Sequence, residues 1–341
     1  MLQAEIIRDS NIPFLSPIVM VKKDGSCHLC VDYRKLNQLI IKNRFSIPII
    51  EELLDELGQA LFFSKLDLIS GDILEKTFKT HKGHYEFFVM PFGLTNIPLS
   101  FQPLKNVIFK RILRRSVLVF FDDILVYSSS WTKHLVHLKE VLQLLRDNNI
   151  FVKQSKYTFG THQIEYLGHI ISTGTVIMDA AKVEGISNWP IPKSIKELRG
   201  FLSLSSYYKR FIRTYGVMAK PLTHLLKKNT PWNWAEIEQT TFELLKQSVC
   251  QAPILCLPNF KEELCINTNA CGQGLEVALH QKGRLVAFFN KGLGIRHQAL
   301  SIYDKGLLAV LMAVKKWHTY LVERIFQIRI DYQILKFLAD R

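Results

Sequence analysis

Val117-Leu-Val-Phe-Phe-Asp122-Asp123-Ile-Leu-Val-Tyr127 sets two adjacent aspartates between apolar runs. Apolar residues on both sides of a polar break read as two buried strands joined by a tight turn. Carboxylates among apolar strands are costly to bury unless a positive charge meets them, and a divalent cation is one such charge. An aspartate-rich turn open to solvent fits the same spacing equally well. A third carboxylate, Asp67, lies in the apolar run Leu61–Leu68. If the two strand ends meet, three acidic side chains from two strands could hold one or two Mg2+ ions.

Working outward, the chain alternates strands and helices. Ile18–Tyr33 is two apolar-rich runs around Asp24-Gly25, and Phe78–Met90 turns at Lys82-Gly83; both spacings predict hairpins. Ile49–Leu57 places Ile49, Ile50, Leu53, Leu54 and Leu57 on one helical face between Pro48 and Gly58. Trp131–Asn148 is an amphipathic helix with Ser130 as its cap. On it, His134 and His137 read as satisfied surface residues, with a metal pair as the weaker alternative. Tyr166–Ile171 and Thr175–Ile177 flank Gly174 as another hairpin. Short helices broken by Pro190, Pro192, Gly200, Gly216 and Pro221 follow, then strands at Leu264–Thr268, Gly274–His280 and Arg284–Phe289, a helix over Ala299–Tyr320 and a strand at Phe326–Asp331. That last strand–helix–strand unit reads as incomplete. Trp189 and the Trp232/Trp234 pair read as packing residues, with base stacking as the alternative for the pair.

The chain has 341 residues, 44 Lys or Arg against 30 Asp or Glu, and a net charge of +14. Apolar residues make 48%, ordinary for a globular chain, which argues against wholesale disorder. The longest apolar run, Leu307–Val314, is far short of the roughly 20 residues of a membrane span. Six cysteines read as reduced thiols of a cytoplasmic protein, and Cys27-His-Leu-Cys30 lacks the second pair a zinc site needs. Residues 182–228 hold ten Lys or Arg and two Glu, so +8 of the +14 is concentrated there. A basic stretch of this kind suits an anionic partner such as nucleic acid, or is a solvated face.

Phe120-Phe-Asp-Asp123 resembles the aromatic-x-Asp-Asp box of reverse transcriptases. Val21-Lys-Lys-Asp-Gly-Ser26, Cys30-Val-Asp-Tyr-Arg34, Leu36-Asn37, Phe63-Ser-Lys-Leu-Asp-Leu68 and Met90-Pro-Phe-Gly-Leu-Thr-Asn96 are similar to words of gypsy-type LTR retrotransposon polymerases. So are Tyr166-Leu-Gly-His-Ile170 and Glu197-Leu-Arg-Gly-Phe-Leu202 followed by Tyr207-Tyr208. The resemblance runs along the whole chain. It implies an α+β fold, a right-hand polymerase of fingers, palm and thumb followed by a truncated ribonuclease H-like α/β domain. The divisions are residues 1–178 for fingers and palm, 179–251 for a basic helical thumb and connection, and 252–341 for the ribonuclease H-like part.

The same resemblance implies roles. Asp67, Asp122 and Asp123 bind two Mg2+ and carry the nucleotidyl transfer. Lys22, Phe92 and Gly93 meet a deoxynucleoside triphosphate. Leu167, Gly168 and His169 grip the primer end. Lys196, Arg199, Lys209, Arg210 and Arg213 contact the phosphates of an RNA or DNA template–primer. No membrane is involved and the oligomeric state is left open.

Several words depart from the family pattern. After Gly71 roughly eight to ten residues are missing, about 30 Å of extended chain, and Asp72 stands where the family has an aromatic residue. Cys27-His28 replaces Trp-Arg, and Pro103 falls inside a helix. In the ribonuclease H part, Asn269 and Gly306 replace acidic residues and only Asp331 remains. With two carboxylates gone, a two-metal nuclease loses its cage, so no hybrid cleavage is expected. The alternative for the polymerase is a decayed remnant that binds nucleic acid without chemistry.

Overall fold

The computed structural model describes residues 7–9, 16–23, 26–32, 34–39, 48–67, 76–80, 83–87, 97–148, 150, 152 and 157–330. The chain divides into two compact units, Met1–Leu53 with Ala60–Ile164, and Leu54–Gln59 with Glu165–Arg341.

The first unit runs through β1 (Ile7–Asp9), β2 (Ser16–Lys23), β3 (Ser26–Val31), α1 (Arg34–Leu39), the start of α2 (Ile50–Asp55), β4 (Phe62–Asp67), β5 (Lys76–Thr80) and β6 (Gly83–Phe87). It continues with α3 (Ile97–Ile108), β7 (Val117–Phe120), β8 (Asp123–Ser128), α4 (Trp131–Asp147) and β9 (Thr158–Thr161). One sheet has the order β1-β6-β5-β2-β3 and the other β7-β8-β4-β9. The expected hairpins form: Lys23 pairs with Ser26 and Thr80 with Gly83. Gly83, expected in the second turn, instead opens β6; Asp24, Gly25, Lys82, Asp72, Phe92, Gly93 and Asp331 lie outside the described residues.

The second sheet shows how a period of two builds a core. Leu66 faces Ile124, and Val119 and Val117 face Ile124 and Val126, so all five point to one side. That side packs on Phe109 and Ile112, just past α3, and on Val141 and Leu145 of α4. Ser130 caps α4 as expected, accepting from the Lys133 N–H. Ile49 departs from the expected apolar face of α2: it is exposed, while Leu53, Leu54 and Leu57 are buried. Pro103 does stand inside α3 without ending it.

The expectation that His134 is a surface residue is corrected. It is wholly buried. Its Nε2 lies 2.7 Å from Ser64 Oγ and its Nδ1 3.1 Å from Ser128 Oγ, and Ser128 Oγ also meets His137 Nδ1 at 2.8 Å. Helical periodicity put both histidines on one face but could not say that β4 and β8 supply hydroxyls beneath it. Burial first, and the charge of His137 second, hold the His134 imidazole below its ordinary value of 6.5. The unfolded chain takes up that proton near pH 6.5 while the folded chain resists it, so this contribution to stability is full above pH 6.5 and is lost as pH falls through the folded value. Urea midpoints should therefore fall between pH 7.5 and pH 5, and His134→Gln should flatten the fall; an equally steep fall in the variant would count against it.

The second unit contains the end of β10 (Gln163–Tyr166), then β11 (His169–Ser172), β12 (Thr175–Met178), α5 (Ala180–Ser187), α6 (Ile195–Tyr207), α7 (Tyr215–Met218), α8 (Lys220–His224) and α9 (Glu236–Cys250). After these come β13 (Leu255–Cys256), β14 (Leu264–Ala270), β15 (Gly274–Gln281), β16 (Arg284–Gly292), α10 (Ile295–Gln298), α11 (Ile302–Lys316), α12 (His318–Leu321) and β17 (Phe326–Ile330). Its sheets have the orders β10-β11-β12-β13 and β16-β15-β14-β17, with β14 and β17 parallel. Ala309, Ala313 and Trp317, in α11 and at its end, pack in one core with Ile266, Val277 and Leu279 of the second sheet.

Four expectations change here. Tyr166–Ile171 is not one strand, because Leu167 and Gly168 turn with positive φ between β10 and β11. Gly200 does not break α6; it lies inside the helix beside the Trp189 ring, which an added Cβ would meet at 3.4 Å, an ordinary van der Waals contact. The helix expected over Ala299–Tyr320 is two, α11 and α12. α9 was not foreseen, although Phe242, Leu245 and Val249 give it a buried face and Glu238 caps it by accepting from the Ala235 N–H at 3.1 Å. Trp189 and Trp234 pack as expected, edge-on to Phe201 and Phe242, and Trp232 stacks on Trp234.

Segment Leu54–Gln59 is part of this second unit. Asp55, 2% exposed, accepts from Arg210 at 3.0 Å and from the Tyr320 hydroxyl. Arg210 also donates to the Val286 carbonyl at 3.3 Å.

Candidate active site

β4 and β8 are antiparallel neighbours in a register that places Asp67 directly opposite Asp123. Cross-strand partners point to the same side of a sheet, so these two carboxylates share a face. Phe120 pairs with Asp123, which leaves Phe121 and Asp122 as a two-residue turn. Phe121 takes φ of 48°, the left-handed conformation that tight hairpins need and that larger side chains adopt at a cost. The register thus sets Asp67 beside Asp123 at the joined ends of two strands, with Asp122 next in the chain at the turn.

Helix α3 holds the turn in place. Gln102, 2% exposed, donates to the Val119 carbonyl at 2.9 Å and accepts from the Phe121 N–H at 2.8 Å. One turn on, Lys105 donates to the Phe121 carbonyl at 2.6 Å and pairs with Asp122 at 3.2 Å. Lys65 pairs with Asp123 at 3.2 Å. Neither Gln102 nor Lys105 was singled out from sequence; a buried polar pair three residues apart on an apolar helix was the available signal.

Among the described residues no group of three His, Cys, Asp or Glu side chains encloses a metal position. The donor chemistry nevertheless fits one: hard carboxylate oxygens on adjacent strands are what Mg2+ takes. No described helix is long and apolar enough to cross a membrane.

The other sequence-derived residues fall in several places. Lys22 lies on β2 opposite Cys27. The Leu167-Gly168 turn is clamped by α6 and the residue after it, with the Tyr207 hydroxyl donating to the Leu167 carbonyl at 2.7 Å and that of Tyr208 to the Gly168 carbonyl at 2.8 Å. Burial pushes the Tyr208 phenol well up, so it stays a donor. At Gly168, φ of 70° and the Tyr208 hydroxyl 2.9 Å from a would-be Cβ both require glycine. His169 is buried and packs against Tyr207, Tyr208 and Phe211.

In the basic stretch, Lys196, Arg199 and Lys209 are exposed. Arg213 is exposed but pairs with Glu276. Arg210 is 5% exposed and committed to Asp55, so the expectation that it meets phosphate is corrected: a guanidinium inside the core cannot reach a duplex. Asn269 is exposed on β14, and Gly306 is buried in α11.

Residues 20–171 match the model for reverse transcriptase (RNA-dependent DNA polymerase), and residues 234–328 that for the RNase H-like domain found in reverse transcriptase. The chain is 37% identical to the retrovirus-related Pol polyprotein from transposon 297 of Drosophila melanogaster over 356 residues, covering all of this chain and 34% of that protein. It is 31% identical to the transposon Tf2-3 polyprotein of Schizosaccharomyces pombe over 351 residues, covering 98% of this chain and 26% of the relative. The chain thus spans about a third or less of these relatives, and the longer alignment exceeds its own 341 residues, so the transposon 297 protein carries residues it lacks.

Two foamy viral protease-reverse transcriptase structures with double-stranded DNA share the fold. One has TM-score 0.86 and 20% identity over 98% of this chain and 62% of that one; the other has 0.85 and 19% over 100% and 74%. The α+β architecture expected from sequence is the one found. The chain belongs to the reverse transcriptases, a family of RNA-directed DNA polymerases, as the reverse transcriptase and ribonuclease H-like region of a gypsy-type LTR retrotransposon Pol polyprotein.

Proposed function

We propose that this region extends a primer on an RNA or DNA template, at a palm formed by Asp67, Asp122 and Asp123. The in-register pairing of Asp67 with Asp123, beside Asp122 at the turn, carries this reading. The three side chains would hold two Mg2+, which supply charge neutralisation for the attacking 3′-oxygen and the departing pyrophosphate. Attack of that oxygen on the α-phosphorus of a deoxynucleoside triphosphate forms the new ester and releases pyrophosphate. Lys22, Phe92 and Gly93 would meet the triphosphate, and the clamped Leu167-Gly168 turn with His169 would seat the primer end.

In this reading residues 1–178 serve as fingers and palm, 179–251 as the basic helical thumb and connection and 252–341 as the truncated ribonuclease H-like part. The place of action is the cytoplasm. Duplex in the foamy viral structures of the same fold supports a nucleic-acid partner here. Lys196, Arg199 and Lys209, all exposed, suit phosphate contacts that position without reading sequence. Removing Lys196 and Arg199 together should lower the slope of log affinity against log salt by about two, read by anisotropy of a labelled duplex. An unchanged slope would remove both residues from the interface.

The deciding experiment is primer extension on an RNA template with Mg2+, scored also for template integrity. Extension over an intact template is the expected result. A second reading, binding without chemistry, is favoured by the departures from the family pattern taken together: the deletion after Gly71, Cys27-His28, Pro103, Asn269 and Gly306. Tight, salt-sensitive binding with no extension would establish it.

A further inference from the structure

Building on the reading of the three aspartates as a metal site, we propose that Lys105 is a built-in counter-ion to Asp122 and sets how strongly that site takes a divalent cation. α3 sends two side chains, one turn apart, to the same hairpin. Gln102 satisfies the backbone on both sides of it. Lys105 brings a full positive charge to 3.2 Å from Asp122 Oδ1.

The burial of the two partners is unequal. The Lys105 side chain is 6% exposed and that of Asp122 47%. The carboxylate is open to an incoming ion, while the ammonium is fixed from beneath. Lys105 also donates to the Phe121 carbonyl at 2.6 Å, so it cannot turn away without leaving a carbonyl unpaired. A lysine on the surface would swing into water at little cost. Lys65 pairs with Asp123 at the same distance, 3.2 Å, but with its own side chain 24% exposed it is not fixed from beneath as Lys105 is.

A divalent ion arriving at Asp122 therefore meets a carboxylate already neutralised by a charge that stays. Its attraction is reduced by repulsion from that ammonium at close range, an effect that the solvent reaching Asp122 screens in part. Lys105 acts through Asp122 and is a positioning residue. Near the C-terminal end of α3 its charge is also favoured by the helix dipole.

Mn2+ is the probe, and free Mn2+ is read by electron paramagnetic resonance in titrations of the full chain without nucleotide. Lys105→Gln, which keeps a donor for the Phe121 carbonyl but no charge, should bind about tenfold more tightly than the parent. That gain should vanish in Lys105→Gln/Asp122→Asn. Lys105→Arg, which keeps the charge, should stay within about twofold of the parent. A merely structural lysine would give weaker binding in both single variants. If Lys105→Gln fails to fold by circular dichroism, Lys105→Met gives the same comparison.

Parent binding that depends on Asp122, together with unchanged or weaker binding in the charge-free variant, overturns the proposal alone. Binding indifferent to Asp122→Asn in every background overturns the metal-site reading, and the proposal with it.

Discussion

Arg210→Ala is expected to cost the second unit about 3–5 kcal/mol, measured as a fall in the urea midpoint at constant slope. The substitution leaves Asp55 charged inside the core, 2% exposed, keeping the Tyr320 hydroxyl but losing the guanidinium. It also removes the donor to the Val286 carbonyl. A domain stable by about 5–15 kcal/mol loses a large share of its margin. Asp55→Ala should cost about as much, since it strands the guanidinium instead. The pair Asp55→Leu/Arg210→Met should lie nearer the parent than either single variant, because most of the penalty is for an uncompensated charge rather than a lost attraction. Single variants within about 1 kcal/mol of the parent would show that solvent reaches the pair.

Asp122→Asn should lower Mg2+-dependent primer extension by about a thousandfold, with duplex affinity and melting temperature nearly unchanged. Asparagine keeps the shape and one neutral oxygen, and Lys105 keeps its bond to the Phe121 carbonyl, so the turn should survive. What disappears is an anionic oxygen in a site that must balance several units of charge as the phosphoryl group transfers. The loss of a few kcal/mol of such stabilisation is worth about that factor. Asp67→Asn should behave alike, since it removes the opposite half of the register pair. Extension that persists in both variants would move the chemistry elsewhere in the chain.

Much of the two-aspartate hairpin was legible because its signals are local. A turn dipeptide between alternating runs marks a hairpin, and strand polarity alone brings Asp67 to Asp123. What escaped was held by contacts distant in sequence. Gln102 and Lys105 act on a turn 16 to 19 residues away. Ser64 and His134 lie 70 residues apart. Arg210 looked like its basic neighbours because composition does not tell which side of a short helical turn faces inward. Gly200 looked like a breaker because the ring packed beside it, that of Trp189, comes from outside the helix. Periodicity reports a face; the partner across it is a property of the tertiary fold.

The Asp55 contacts also set a timetable for the growing chain. Asp55 is made 155 residues ahead of Arg210 and 265 ahead of Tyr320. At about 5–20 residues per second, roughly 8–30 s of translation separate Asp55 from Arg210 and still more separate it from Tyr320. Through that interval Leu54 and Leu57, both fully buried in the finished fold, have no second unit to enter. Native closure of this segment therefore waits until Tyr320 has been made, and chaperone demand should peak on nascent chains that carry Asp55 but stop short of Tyr320.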